Sequence, residues 1–233
     1  MADLSQKEWD RFEKPEHSHV YKQIATVMHK GISQEEVAQF YSKWADDLQY
    51  EKELPEDVYN APIVTAAAAA DGMTAEEKAS VRVFDVAAGT GLCSLWLRSH
   101  GFQHIDGLDP SEGMLAKARA KNLYDRYICD FITDKRLDIN DDTYDVLTVS
   151  AGLGEGHIPC CALYEMVRVV KPGGRIVIVT RAQHLETVEE YRDRLEPLMD
   201  RLEVEGKWQK LERKIFPGFF LDKEGILWKY QVC

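Results

Sequence analysis

Val81-Arg-Val-Phe-Asp-Val-Ala-Ala-Gly-Thr-Gly91 is a short apolar run that carries one acid, Asp85, and breaks into a Gly-Thr-Gly turn ahead of a helical pattern. A buried strand feeding a glycine turn and a helix is where an α/β sheet receives a nucleotide-like ligand. Gly89 and Gly91 let the backbone come closer to a ligand than any side chain would permit. The next candidate strand, His104 to Asp109, ends on an acid able to accept hydrogen bonds from ribose hydroxyls. Together these features point to an adenosine-containing ligand.

Downstream of this stretch, strands and helices alternate, which predicts a parallel sheet with crossover helices. Strand 1 is Val81 to Val86, and its helix starts near Leu92. After strand 2, Ser111 caps a helix that turns Met114, Leu115 and Ala118 inward. Strand 3 is Tyr127 to Cys129 and strand 4 is Tyr144 to Ser150. Pro159 opens a helix with Leu163, Met166, Val167 and Val170 inward, and Lys171-Pro-Gly-Gly174 leads into strand 5, Arg175 to Thr180. Thr187-Val-Glu-Glu190 reads as a capping box for a helix carrying Val188, Tyr191, Leu195, Leu198 and Leu202 and ending at Gly206. Trp208 to Phe216 and Gly225 to Val232 are joined by a connection around Pro217-Gly218 too short for a crossover, so they should pair antiparallel. The expected fold is a Rossmann-like α/β domain: a seven-stranded, mostly parallel sheet with a C-terminal antiparallel hairpin, helices on both faces and an N-terminal helical cap.

Upstream, Ser33-Gln-Glu-Glu36 is a capping box, and Val37, Phe40, Tyr41, Trp44 and Leu48 follow at helical spacing. That spacing serves core packing or contact with a ligand. A second helix starts near Pro62 and runs through the alanines to Asp71-Gly72, while residues 73–80 read as a polar connection. The division is therefore 1–80 as a helical cap or lid and 81–233 as the ligand-binding core.

The net charge of -11 and pI near 5.1 disfavour a sequence-independent nucleic-acid binder. The N-terminus has neither a basic region nor an apolar run of signal-peptide type, and no apolar run approaches the roughly 20 residues of a membrane helix, so a cytoplasmic protein is expected. Cysteines 93, 129, 160, 161 and 233 form no CxxC pair, and Cys93 and Cys129 read as buried free thiols. The seven histidines contain no HExxH, and His17-Ser-His19 lies in a polar stretch, so no metal site is assigned.

Asp85 through Gly91, Leu108-Asp-Pro-Ser111 with Met114-Leu115, Asp130-Phe131, Tyr144-Asp145 and Lys171-Pro-Gly-Gly174 occur in one order. In that order they resemble the class I S-adenosylmethionine-dependent methyltransferases. Tyr41-Ser-Lys-Trp-Ala45, Tyr59-Asn-Ala-Pro62 and Gly154-Glu-Gly-His-Ile-Pro159 are similar to the methyltransferase-like proteins of the Williams-Beuren syndrome region. The resemblance implies S-adenosyl-L-methionine as cofactor. It puts Gly89 and Gly91 against its methionine and ribose portions, Asp85 at its amino group and Asp109 on both ribose hydroxyls. Asp130 would accept from the adenine amine, the Phe131 amide would meet a ring nitrogen, and Ser150 would offer its carbonyl near the sulfonium. Ala87, Pro110 and Met114 fall within the same motifs, and Tyr41 or Tyr50 would cover the cofactor. Where many members have glycine and cysteine this chain has Ala87 and Ala88, so residue 87 is expected to hold a backbone angle reachable without glycine.

Acceptor-side groups are expected after strand 4, in Ser150-Ala-Gly-Leu-Gly-Glu-Gly-His157, where His157 could act as a general base and Glu155 could position the acceptor. The segment lacks the Asn/Asp-Pro-Pro-aromatic turn of many adenine and glutamine-amide methyltransferases. A small-molecule acceptor is the first choice and a protein side chain the second. Two rival readings are a non-catalytic scaffold of the same fold and a nicotinamide-dependent oxidoreductase, the latter suggested by Gly89-Thr-Gly-Leu-Cys-Ser94.

Overall fold

The computed structural model describes residues 20, 24, 26–46, 50–54 and 58–233. Leu48, His17 and His19 lie outside the described residues. The first helix, α1 (Gln34–Asp46), starts on the expected reciprocal cap: Glu36 N–H donates to Ser33 Oγ at 3.2 Å and Ser33 N–H to Glu36 Oε2 at 2.9 Å. A one-turn α2 (Tyr50–Glu53) and the alanine helix α3 (Ala61–Ala70) follow. Ala61, Ala66 and Ala69 are fully buried, because their small side chains let the helix lie close to the sheet. Residues 73–80 are not merely a connection. They form α4 (Ala75–Ser80), started by a Thr74–Glu77 capping box and burying none of its own residues.

The sheet comprises β1 (Arg82–Val86), β2 (His104–Leu108), β3 (Arg126–Ile128), β4 (Tyr144–Ser150), β5 (Val170–Arg181), β6 (Trp208–Phe220) and β7 (Lys223–Val232). Their spatial order is β3-β2-β1-β4-β5-β7-β6, parallel from β3 to β5 and antiparallel among β5, β7 and β6. Crossover helices are α5 (Leu92–Ser99), α6 (Glu112–Ala120) and α7 (Ala162–Val169), with α8 (His184–Thr187) and α9 (Leu195–Val204) ahead of the hairpin. Alternation along each strand divides the core in two. Phe84, Val86, Leu147 and Ile178 face α7 and α9, whereas Val83, Ile105, Val146 and Val177 face α3 and α5.

Three boundaries differ from expectation. Val170 opens β5 instead of closing the preceding helix, since it already pairs with Tyr144. Thr187 caps no helix start: its hydroxyl turns back to donate to the Gln183 carbonyl at 3.0 Å, and Asp193, at φ 57°, delays the helix to Leu195. The hairpin turns at Leu221-Asp222, and Pro217-Gly218 lie in an irregularity of β6, where a residue without an N–H is tolerated. Among the cysteines, Cys93 and Cys160 are buried, but Cys129 is exposed, since strand β3 ends before it. Among the described residues no helix is long and apolar enough to cross a membrane, and no cluster of His, Cys, Asp and Glu could hold a metal ion.

Candidate active site

The strand order reverses between β1 and β4, and a cleft opens at the carboxyl ends of the strands on both sides of that switch. Its empty volume is about 1220 Å³, mouth included. Val86 and Ala87 follow from β1, Leu108 and Asp109 from β2, Ser150 and Ala151 from β4, and Arg181 from β5. The N-terminal helices roof it with Tyr41, Trp44 and Tyr50.

The floor is a backbone device. Ala88 N–H donates to the Leu108 carbonyl at 3.0 Å, and Gly91 N–H to Ala88 O at 2.9 Å. Gly89 N–H donates to Asp109 Oδ2 at 2.8 Å, while Ser111 N–H donates to Asp109 Oδ1 at 2.9 Å. The turn takes Ala87 to φ 57° and Gly89 to φ 54°. Ala87 thus sits in the left-handed region that an alanine enters only at a conformational penalty, contrary to the angle expected for it. Ala151, at φ 57°, does the same at the end of the neighbouring β4. Two strained alanines side by side make both central strands bend away and leave room between them. Gly91, at φ 89°, is the N-cap of α5, and a Cβ there would meet Leu123 Cδ1 at 2.3 Å.

Burial raises the Asp109 carboxyl to about 6, with the Ser111 and Gly89 amides pulling the other way. Asp85 lies behind the floor rather than on it. It is fully buried, accepting from Tyr124 Oη at 2.7 Å and Thr148 Oγ1 at 2.8 Å, and burial pushes it also to about 6. Of the expected cofactor residues, Tyr41, Ala87, Gly89, Asp109, Pro110, Met114, Phe131 and Ser150 line the cleft; Asp85, Gly91 and Asp130 do not. Asp130 is exposed and accepts from the Phe131 amide at 2.8 Å, the very donor assigned to a ring nitrogen.

Beside the cleft, a recess of about 270 Å³ shares Tyr50, Tyr59, Ala87, Gly89 and Ser150 with it and adds Thr90. The buried Ser150 Oγ and Thr90 Oγ1 have no hydrogen-bond partner among the described residues. Unpaired buried hydroxyls carry a desolvation penalty that a polar ligand would remove.

His157 lines the opposite wall. Its Nδ1 is 2.7 Å from the Glu155 carbonyl, so that nitrogen carries the proton, and Nε2 accepts from Tyr41 Oη at 3.3 Å. Burial lowers its pKa, keeping it neutral. Glu155 points instead to the cap, accepting from Gly31 N–H at 3.3 Å. The cap is tied to both rims, through Gln34 Nε2 donating to the His157 carbonyl at 3.0 Å and Ser42 Oγ facing Ser111 Oγ at 2.7 Å. Lys121 joins the Thr90 carbonyl, at 2.8 Å, to Glu51 of α2.

Sequence reasoning missed Tyr59, Thr90, Arg181, His184, Phe219 and Phe220. Only Arg181 and His184 had a usable signal, since they follow the carboxyl end of a predicted parallel strand. The others reach the cleft by long-range packing: Phe220 bridges to Tyr59, and the Asn60 amide donates to the Phe219 carbonyl at 3.2 Å.

Residues 83–174 match a family model described as a methyltransferase domain. The chain is 33% identical over 172 residues to human methyltransferase-like protein 27, covering 74% of this chain and 68% of that one. It is 41% identical over 102 residues to demethylmenaquinone methyltransferase of Clavibacter sepedonicus, covering 43% of this chain and 41% of that one. In fold it resembles a SAM-dependent methyltransferase from Aquifex aeolicus, with a TM-score of 0.57 at 15% identity over 82% of this chain and 98% of that one. With the glycine floor, the Asp109 carboxylate and the hairpin-ended sheet already in place, these similarities make the assignment: the chain belongs to the class I S-adenosylmethionine-dependent methyltransferases.

Proposed function

We propose that this enzyme methylates a small molecule enclosed between the sheet and the N-terminal cap. The observation that carries this reading is the roof: α1 is hydrogen-bonded to both rims of the cleft, at Ser111 and at His157. An acceptor must therefore fit beneath the roof, which suits a metabolite better than a side chain presented by a folded protein. The cleft volume exceeds the roughly 300–1,000 Å³ usual for one drug-sized ligand, which leaves space for a cofactor and an acceptor together. Relatives named demethylmenaquinone methyltransferase act on a small molecule, which supports the same choice.

The residues present fit S-adenosylmethionine. Asp109 keeps lone pairs for ribose hydroxyls, and the partnerless hydroxyls of Ser150 and Thr90 suit the polar end of an amino acid. When bound, the cofactor supplies an activated methyl group on a sulfonium. Met114, Phe131 and Ile132 offer an apolar wall for a flat base. Asp85, fixed beneath the floor by Tyr124 and Thr148, acts as a positioning charge for the glycine turn. The cap excludes water and holds the acceptor, so that proximity provides much of the acceleration. His157 Nε2 is a neutral base that takes a proton from an acceptor hydroxyl or amine once that group replaces Tyr41 as its donor.

Incubating the purified protein with labelled S-adenosylmethionine and separate metabolite and protein fractions tests this. Label is expected in the metabolite fraction, and transfer only into protein would overturn the reading.

A further inference from the structure

The half of the cleft remote from Asp109 has a composition of its own. Alternation along β5 turns Val177 and Val179 toward the core that holds Phe216, Phe219 and Phe220. Arg181, two residues beyond Val179, emerges on the same face and lines the cleft. Tyr59 meets Phe219 and Phe220 edge-on, with ring centroids 6.1 and 6.3 Å apart. Across the cleft Trp44 meets Tyr50 edge-on at 4.9 Å and stacks on Tyr41 at 6.1 Å. Ring faces and edges of this kind pack best against another flat ring.

Charge then narrows the class. Among the described lining residues the only carboxylate is Asp109 and the only permanent cation is Arg181. Both Asp109 oxygens are already held by backbone amides at the cofactor end. An aromatic box alone would also suit a quaternary ammonium, but a guanidinium in the same wall repels one. Its field is felt locally: His184, also in the wall, is held neutral with a pKa of about 3, by burial first and the Arg181 charge second. The guanidinium places one donor on Gln183 Oε1, at 2.6 Å, and its planar fork has others.

We infer that the acceptor is a flat, largely apolar ring compound bearing a carboxylate or an ionised ring hydroxyl, and that Arg181 is the residue that selects it. The word acceptor rests on the methyl-transfer reading; the ring-and-anion specificity of the cleft does not.

Calorimetry on the full chain with three probes of one shape tests the inference: 2-naphthoate, 2-naphthamide and 2-naphthylmethylammonium, each with and without S-adenosylhomocysteine. Naphthoate should bind about tenfold or more tighter than the amide, with the cation weakest. Arg181→Gln should bring naphthoate to the level of the amide while leaving S-adenosylhomocysteine affinity unchanged, and Arg181→Lys should restore part of the preference. Equal binding of the three, a preference for the cation, no binding of any, or an undiminished preference in Arg181→Gln would each overturn it. The ranking on the unmodified protein decides the matter even if a variant fails to fold. Lack of S-adenosylhomocysteine binding would overturn the methyl-donor reading alone, because the probe ranking is also read without it.

Discussion

Asp109 is where cofactor recognition and pH meet. Its two oxygens each accept one backbone amide, from Gly89 and Ser111, and each retains a lone pair for a ribose hydroxyl. Only the ionised form can accept all four bonds, yet burial has raised its pKa to about 6. Below that value the carboxyl must release a proton before it binds. S-adenosylhomocysteine affinity should therefore be level above about pH 7 and fall by up to tenfold per pH unit once the pH drops below about 6. Asp109→Asn should lose about 1–3 kcal/mol of binding at pH 7.5 and flatten that profile, as calorimetry across pH would show. Full affinity in the variant rejects the ribose role. His157 makes a separate prediction at the same scale. With Nδ1 committed to the Glu155 carbonyl and Nε2 free to accept, His157→Ala should lower kcat by about 10²–10⁴-fold. Its effect on S-adenosylhomocysteine binding should be small, and a loss confined to cofactor affinity would make it a packing residue.

At the scale of elements, the contact between α1 and α6 decides how the cleft is roofed. Gly113 lies in the first turn of α6, and a Cβ there would stand 2.7 Å from both the Ser42 Cα and the Ser42 carbonyl oxygen. Those are backbone atoms, so only movement of α1 could relieve the clash. Gly113→Ala gains up to about 1 kcal/mol of helix propensity, so the core should not melt earlier. The variant should nevertheless bind S-adenosylhomocysteine several-fold more weakly and exchange amide hydrogens faster across residues 34–46; unchanged exchange there would separate Gly113 from the roof. The elements themselves differ in how far local sequence reveals them. Tyr144 to Ser150 stands as read, because a buried parallel strand is an apolar run with sharp ends. Capping boxes are less informative. Ser33 starts a helix, Thr74 starts one that has no apolar stripe to announce it, and Thr187 starts none because its hydroxyl bonds backward. The left-handed turns at Ala87 and Ala151 are imposed by pairing and packing across the switch point, and nothing in an alanine announces them. Arg181 and Tyr59 reach the cleft for reasons equally remote in sequence.

Over the whole molecule, one sheet carries both halves of the cleft: β1 and β2 supply the cofactor end, β4 and β5 the remainder. The division at residue 80 suggested by the change in pattern falls after α3, yet α3 is buried against that sheet through Ala61, Ala66 and Ala69. Its removal would uncover Val83, Val146 and Val177, so we propose that α3 melts with the core and that only the helices before it can open. The protein should then unfold in a single calorimetric transition, with the measured enthalpy equal to the van't Hoff enthalpy. A ligand that spans β1, β2 and β4 stabilises that one transition as a whole. S-adenosylhomocysteine at about 100 times its Kd adds about 2.7 kcal/mol, which for a chain of this size raises Tm by roughly 5–10 °C. Two transitions, or a ligand shift confined to one of them, would show that the hairpin half and the nucleotide half fold separately, and that the cleft is assembled between units instead of being cut into one.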